Sequence, residues 1–498
     1  MQISGKNEFP LSKSSQGMLT LNGYRVLKAT VDAEPLRKTL TVKPFVPSVF
    51  VANKNSIPRY KVYKEVEDAL YVPKHFGIET YGPPTETTRD VAQTDARYWT
   101  FTGSLRPVQE PVVNAFLKPT PHDGILSLHT GGGKTVCALY IASQLRVPTL
   151  VIVHNSFLRD QWVDRVKSFL PHARIGRIQG DFCEVEGYDV VIAMLQTLSM
   201  KEIPIATFKS LGLIIVDECH HIASEVFVQA LPKVTSRYML GLSATPSRKD
   251  GLMFVAHWFL GPLLYESKTT DSSDTSIQVE VYEYQNEDPK FNEIIYNPQG
   301  VMFTTLMINK LTEEAGRTRW LADILQDVLE ESPERQVLVL TDRVQHTKDL
   351  LAALSEPIQA QAAILSQAVK SDKRAEFCST KRVLIATYAM CKEGFDVPTL
   401  NTLLMATPRP DIDQIVGRIL RVEKSARTVH PLILDIVDPQ FRRQFQERNG
   451  LYKKRSYTVT KMSLPPSCPV PPKPSPLLPF LRAQPPQLER SGSGAGAP

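Results

Sequence analysis

Several things are scarce in this chain of 498 residues. Its six cysteines (Cys137, Cys183, Cys219, Cys378, Cys391, Cys468) form no CxxC pair, which argues against a disulfide framework and against a zinc finger. No apolar run approaches the 18 or more residues that span a bilayer. The amino terminus, MQISGKNEFP, carries no apolar core of signal-peptide length. Charge of one sign is scarce too. The 58 basic and 52 acidic side chains leave a balance of +6. Residues 451–498 hold seven of the basic residues against one acid, so the first 450 are close to neutral. Net charge describes a tail and gives no ground for nucleic-acid binding. The expectation is a soluble intracellular protein without membrane contact.

What is present suits large buried cores. Apolar residues make up 42% and charged residues 22%, as in ordinary globular chains. Residues 1–95 alternate short apolar runs with prolines and charges, which predicts a small strand-rich accessory module. Residues 96–268 carry TLVIVH (149–154), DVVIAM (189–194), LGLIIVD (211–217) and YMLGLSA (238–244) between helical stretches. Continuous apolar runs separated by helices predict a parallel sheet covered on both faces. A polar stretch, 269–304, reads as a linker or excursion. The pattern resumes over 305–460 with RQVLVLT (335–341), RVLIAT (382–387), LNTLLMA (400–406) and PLILDIV (431–437). Two tandem α/β domains facing a cleft follow. Eleven of the 37 residues from Met462 onward are proline, so 461–498 is predicted to be a disordered tail.

The segment LSLHTGGGKT (126–135) follows a predicted strand and enters a helical pattern, which is the context of a phosphate-binding loop. Thr130 opens its turn. Gly131, Gly132 and Gly133 let backbone amides approach phosphate; Lys134 would sit on the β/γ-phosphates and the Thr135 hydroxyl on Mg²⁺. Leu128 stands where the usual pattern has glycine. The run IIVDECHH (214–221) ends a buried strand in two adjacent carboxylates, and charges there need partners. Asp217 can hold the magnesium shell opposite Thr135, and Glu218 can orient or deprotonate the attacking water. His220 taken alone reads as an ordinary polar loop residue.

TGGGKT, DECH and then SATP (243–246) resemble the motor core of superfamily 2 helicases. FTGSLRPVQ (101–109), ATYAMCKEGFDVP (386–398) and QIVGRILR (414–421) continue the resemblance in order. The fuller set, with ATPSRKDG, ILSQ and GRILR, is similar to the XPB-related branch. It is most similar to helicases of large eukaryotic DNA viruses, the wider group of the poxvirus transcript-release helicase. The resemblance implies two RecA-like lobes, with Gln109 reading adenine and Gly394 and Asp396 at the nucleotide. It places Gln414, Arg418 and Arg421 at the γ-phosphate from the second lobe. Arg418 and Arg421, three residues apart, are expected on one helix face. His220, Ser243 and Thr245 are expected to couple hydrolysis to movement.

It also implies a nucleic-acid strand across both lobes, held by phosphates and sugars. Candidate contacts are His154, Asn155, Ser156, Gln196, Thr197 and Thr387, polar residues at strand carboxyl ends. Capping of the following helices is the alternative use of Asn155, Ser156 or Thr197. The expected activity is an ATP- and Mg²⁺-dependent helicase or translocase, with DNA favoured over RNA. Its expected setting is viral-type transcription or genome maintenance, in the host nucleus, the cytoplasm or the virion, beside transcription or replication machinery. A duplex translocase that does not separate strands, an RNA helicase and a hydrolysis-dead scaffold are the competing readings. No guanine-reading NKxD motif is present, which disfavours a GTPase.

Overall fold

The computed structural model describes residues 17–43, 59–129, 131–221, 225–244, 252–267, 275–298, 300–366, 368–392, 397–422 and 424–462. The proline-rich tail and the predicted site residues Thr130, Thr245, Gly394 and Asp396 lie outside them.

All eight apolar runs become strands of two parallel sheets. The first sheet runs, edge to edge, Phe182–Cys183, Ile175–Gln179, Val190–Met194, Thr149–Val153, Leu213–Val216, Tyr238–Ser243, Gly124–Ser127 and Leu263–Glu266. Only its first pair is antiparallel. Alternate side chains serve opposite faces: Leu150 and Ile152 enter one apolar cluster, Val151 and Val153 the other. The second sheet, all parallel, runs Ala362–Leu365, Val383–Thr387, Val337–Thr341, Thr402–Met405, Leu432–Val437, Gln278–Glu283 and Thr458–Lys461. This is the tandem α/β architecture of RecA-like lobes.

One expectation is corrected. Gln278–Glu283 falls within the polar stretch read as a linker, yet it is an interior strand of the second sheet, between Leu432–Val437 and Thr458–Lys461. Its charged residues alternate with buried Val279 and Val281, so the alternation was masked by the polar residues around it.

Between Met18 and Thr87, the described residues build a five-stranded, mainly antiparallel sheet, but not a separate core. Tyr24, Val26, Leu70 and Val72 pack in the same cluster as Ile152, Ile214 and Val216 of the first lobe. Two buried cations pin this contact. Arg89 donates to the carbonyls of Thr235 (2.9 Å) and Leu211 (2.6 Å), and burial pushes its guanidinium down to about 10. Lys74 pairs with Asp123 at 2.5 Å and donates to Arg237 O at 2.6 Å. Asp123, Leu211 and Arg237 each precede a strand of the first sheet, so the attachment lies at the amino ends of those strands.

In the second lobe, buried ion pairs are set among apolar clusters that cover both faces of its sheet. Arg317 meets Asp438 at 2.7 and 2.8 Å, and Arg448 meets Asp435 at 2.7 Å, all four side chains essentially inaccessible. The same guanidiniums donate to Ala406 O and Arg409 O, each at 2.9 Å. They thereby fix the connection between strand Thr402–Met405 and the helix Asp413–Val416. No helix among the described residues is long and apolar enough to cross a membrane.

Candidate nucleotide and nucleic-acid site

The glycine-rich loop joins strand Gly124–Ser127 to helix Lys134–Leu145. Gly131 and Gly133 have φ of +85° and +83°, a region that favours glycine. A Cβ on Gly133 would lie 2.1 Å from Nε2 of Gln109, so a larger residue there would displace the carboxamide. Gln109 itself is buried: its Nε2 donates to Gly132 O at 3.2 Å, and its Oε1 accepts from Arg106 N at 2.9 Å. Arg106 donates in turn to Gly131 O at 3.2 Å. The predicted base-reading residue thus grips the loop backbone.

Lys134, the first residue of the helix, points at the neighbouring strand end, where its Nζ is 2.7 Å from Oε1 of Glu218. Oε2 of Glu218 lies 3.3 Å from Nδ1 of His220, which is 3.2 Å from the Ser243 hydroxyl. Lys134, Glu218, His220 and Ser243 form a continuous line across three strand ends. Glu218 holds φ at +48°, an uncommon conformation for a residue with a side chain. Burial alone would raise its carboxyl, but Lys134 and then His220 more than offset this and hold it below the usual range. Asp217 goes the other way: burial, and then repulsion by Glu218, raise it.

Asp217 Oδ1 accepts from Glu218 N at 3.0 Å, and Oδ2 from the buried indole of Trp162 at 2.8 Å. Nothing local in sequence marks Trp162, which sits 55 positions away in helix Ser156–Phe169. Arg106 had a cue, three residues before Gln109 at the start of the same turn. Thr135 and Asp217 supply only oxygen donors, the chemistry that a hard divalent cation takes.

The second lobe reaches this loop. A Cβ on Gly131 would be 3.3 Å from Nη1 of Arg421. The His129 imidazole is pushed down by burial and then by Arg106 and Arg455, with Asp413 opposing. Arg418 is buried, and both arginines act electrostatically on the buried Cys391 thiol, which burial raises. The shared helix face expected for them is corrected. The helix Asp413–Val416 carries Gln414 and ends at Gly417; Arg418 and Ile419 continue as tighter i→i−3 turns, and Arg421 lies in the irregular segment beyond.

The strand-end candidates of the first lobe gather on one edge of it. Asn155 Oδ1 caps helix Ser156–Phe169 through Leu158 N at 2.8 Å. Gln196, exposed, donates to His154 O at 2.7 Å, and Thr197 Oγ1 accepts from Gly180 N at 3.2 Å. Ser156 is exposed. Thr387 belongs to the second lobe and accepts from Met390 N at 3.3 Å.

Residues 102–248 match the family described as type III restriction enzyme, res subunit. Fold, loop and relatives together support an ATP-hydrolysing helicase, and the chain is similar to the superfamily 2 helicases of large DNA viruses. One relative is "Putative ATP-dependent RNA helicase L396" of Acanthamoeba polyphaga mimivirus, 29% identical over 89% of this chain and 86% of its own length. Another is "Putative helicase 161L" of Invertebrate iridescent virus 6, 27% identical over 69% of this chain and 79% of its own. Among solved structures, S. cerevisiae Dbp5 bound to RNA and ADP BeF3 shares the fold, with a TM-score of 0.50 and 16% identity over 71% of this chain and 89% of that one.

Proposed function

We propose that this chain is a motor that closes its two lobes on ATP and Mg²⁺ and moves along a nucleic-acid strand as they reopen. The observation that carries the reading is the approach of Arg421, from the second lobe, to Gly131 of the phosphate loop, where a Cβ would stand 3.3 Å from its Nη1. Amides of residues 131–133 and the Lys134 ammonium hold the phosphates, and Gln109 ties the loop to the adenine side. Thr135 and Asp217 hold the cation, with Trp162 orienting Asp217. Mg²⁺, when bound, neutralises charge building on the phosphate oxygens.

Glu218 takes a proton from the attacking water. Phosphates compete with it for Lys134, and loss of that partner raises its proton affinity as substrate binds. Arg418 and Arg421, with Gln414, stabilise the γ-phosphate charge from across the cleft. His220 and Ser243 relay the state of Glu218 to the strand ends. There, His154, Asn155, Ser156, Gln196, Thr197 and, on the second lobe, Thr387 hold the strand by its backbone. Thr130, Thr245, Gly394 and Asp396 keep the roles their motifs imply.

Motif style favours DNA, in viral-type transcription or genome maintenance. The names of the mimivirus and African swine fever virus relatives, which call them RNA helicases, supply RNA as the second reading. Phosphate release measured with single-stranded DNA, duplex DNA and RNA tests both. Stimulation greatest with single-stranded DNA is the expected result. Stimulation by RNA alone would assign the second reading, and none by any polymer would overturn the motor.

A further inference from the structure

We propose that the hairpin at the edge of the first sheet binds an unstacked nucleobase of the translocated strand, with Phe182 as the stacking surface. This rests on the nucleic-acid reading above and adds a site to it.

The hairpin pairs Ile175–Gln179 with Phe182–Cys183 through a turn at Gly180 and Asp181. That turn stands at the carboxyl end of Ile175–Gln179, beside the ends of Val190–Met194 and Thr149–Val153, which carry the proposed backbone contacts. The link is direct, because Gly180 N donates to Thr197 Oγ1 at 3.2 Å. Gly180 has φ +55° and nothing within 4 Å of a Cβ built on it, so the turn faces open space.

Phe182 is 52% exposed. Single exposed aromatics are common and need no purpose, but this one is held. The Arg177 guanidinium carbon lies 3.6 Å from its ring centroid. The ring also lines a cavity of about 420 Å³ shared with Ile178, Thr197, Ile203 and Pro204, a volume in the range of ligand pockets. A half-exposed planar ring held by a guanidinium and lining such a cavity is suited to take a base by stacking, as single-strand binders do.

Charge narrows the ligand. Lys201 is paired with Asp181 at 2.6 Å and Arg177 with Glu184 at 3.4 Å. The rim cations are matched by carboxylates, which would repel a phosphate and tolerate a neutral base. Thr197, shared by the backbone track and the cavity, places the base pocket next to the phosphates that the track would hold. Stacking reads no hydrogen-bond pattern, so the site would accept any base and favour those that stack best.

The test is fluorescence anisotropy of the full chain with a labelled single strand and with the same strand made abasic. Phe182→Ala is expected to weaken binding to the base-bearing strand on the order of 5- to 150-fold, with Phe182→Trp close to the parent. On the abasic strand, parent and Phe182→Ala should bind alike, and the salt dependence should not change because no phosphate contact is lost. Equal affinity of parent and Phe182→Ala for the base-bearing strand, or equal losses on both strands, would overturn the base pocket while leaving the track. Failure of the parent to bind either strand would overturn the nucleic-acid reading and this site with it.

Discussion

Lys134 and Glu218 are bound to each other at 2.7 Å: the cation of the phosphate loop and the carboxylate of the DECH strand form one half-buried ion pair. A triphosphate and Glu218 therefore compete for one ammonium. Glu218→Gln should bind nucleotide at least as tightly as the parent, because a neutral amide competes less well. Its turnover should fall about 10²- to 10⁴-fold, the usual contribution of a positioned base. Fluorescent-nucleotide binding beside phosphate release measures both, and parental turnover would remove Glu218 from the base role.

Arg421 approaches the phosphate loop from the other lobe, its Nη1 3.3 Å from where a Cβ on Gly131 would stand. Arg421→Ala should lower turnover by roughly 10³- to 10⁵-fold with strand affinity kept. Arg421→Lys should recover only part of it, since an ammonium cannot present a planar fork. Single-turnover hydrolysis distinguishes the two, and an unaltered rate in Arg421→Ala would place the residue outside the reaction.

Trp162 holds Asp217 through its indole N–H. Trp162→Phe keeps the apolar bulk and loses that donor. The Mg²⁺ concentration giving half-maximal hydrolysis should rise by about 10- to 100-fold, as for other outer partners of metal-holding carboxylates. An unchanged Mg²⁺ titration would reduce Trp162 to a packing residue.

Arg448 and Asp435 are buried together and also hold the Arg409 carbonyl. Arg448→Ala strands a carboxylate in the core and should cost about 3–5 kcal/mol of stability. Exchanging both partners for apolar residues should restore most of it. Urea unfolding of the two variants checks this, and equal losses would contradict the pairing as the source.

His346 is buried between the Thr341 and Thr318 hydroxyls at 2.8 and 3.3 Å. Burial, and then Arg317, push its imidazole from 6.5 down to about 3. The unfolded chain takes up this proton as pH falls through 6.5 and the folded chain does not, so acid favours unfolding. Stability should drop between 6.5 and about 3, by at most about 1.4 kcal/mol per pH unit from this group. His346→Gln should flatten the slope between pH about 6 and about 4; an identical slope would show that other groups set it.

Much of the fold was legible because eight of the parallel strands are buried on both faces and so write themselves as unbroken apolar runs, as Val190–Met194 and Leu213–Val216 do. The strand Gln278–Glu283 hid because half its residues are polar. The loop glycines, Lys134, Asp217 and Glu218 were legible because phosphate and water chemistry demands those types in local patterns. Trp162 was not, because its contact with Asp217 is made by tertiary packing that leaves no trace in spacing. Arg418 and Arg421 suggested a helix through their interval alone, and the break at Gly417 decided otherwise.

The buried clamps of Lys74 and Arg89 lie at the far ends of the strands whose near ends carry the phosphate loop, the Asp217–Glu218 pair and Ser243. Any tilt of the first lobe must therefore carry the amino-terminal sheet with it as one solid piece, like a handle forged onto a blade. A swap of motor cores between such enzymes would have to bring this sheet along, since severing it exposes the lobe's own interior.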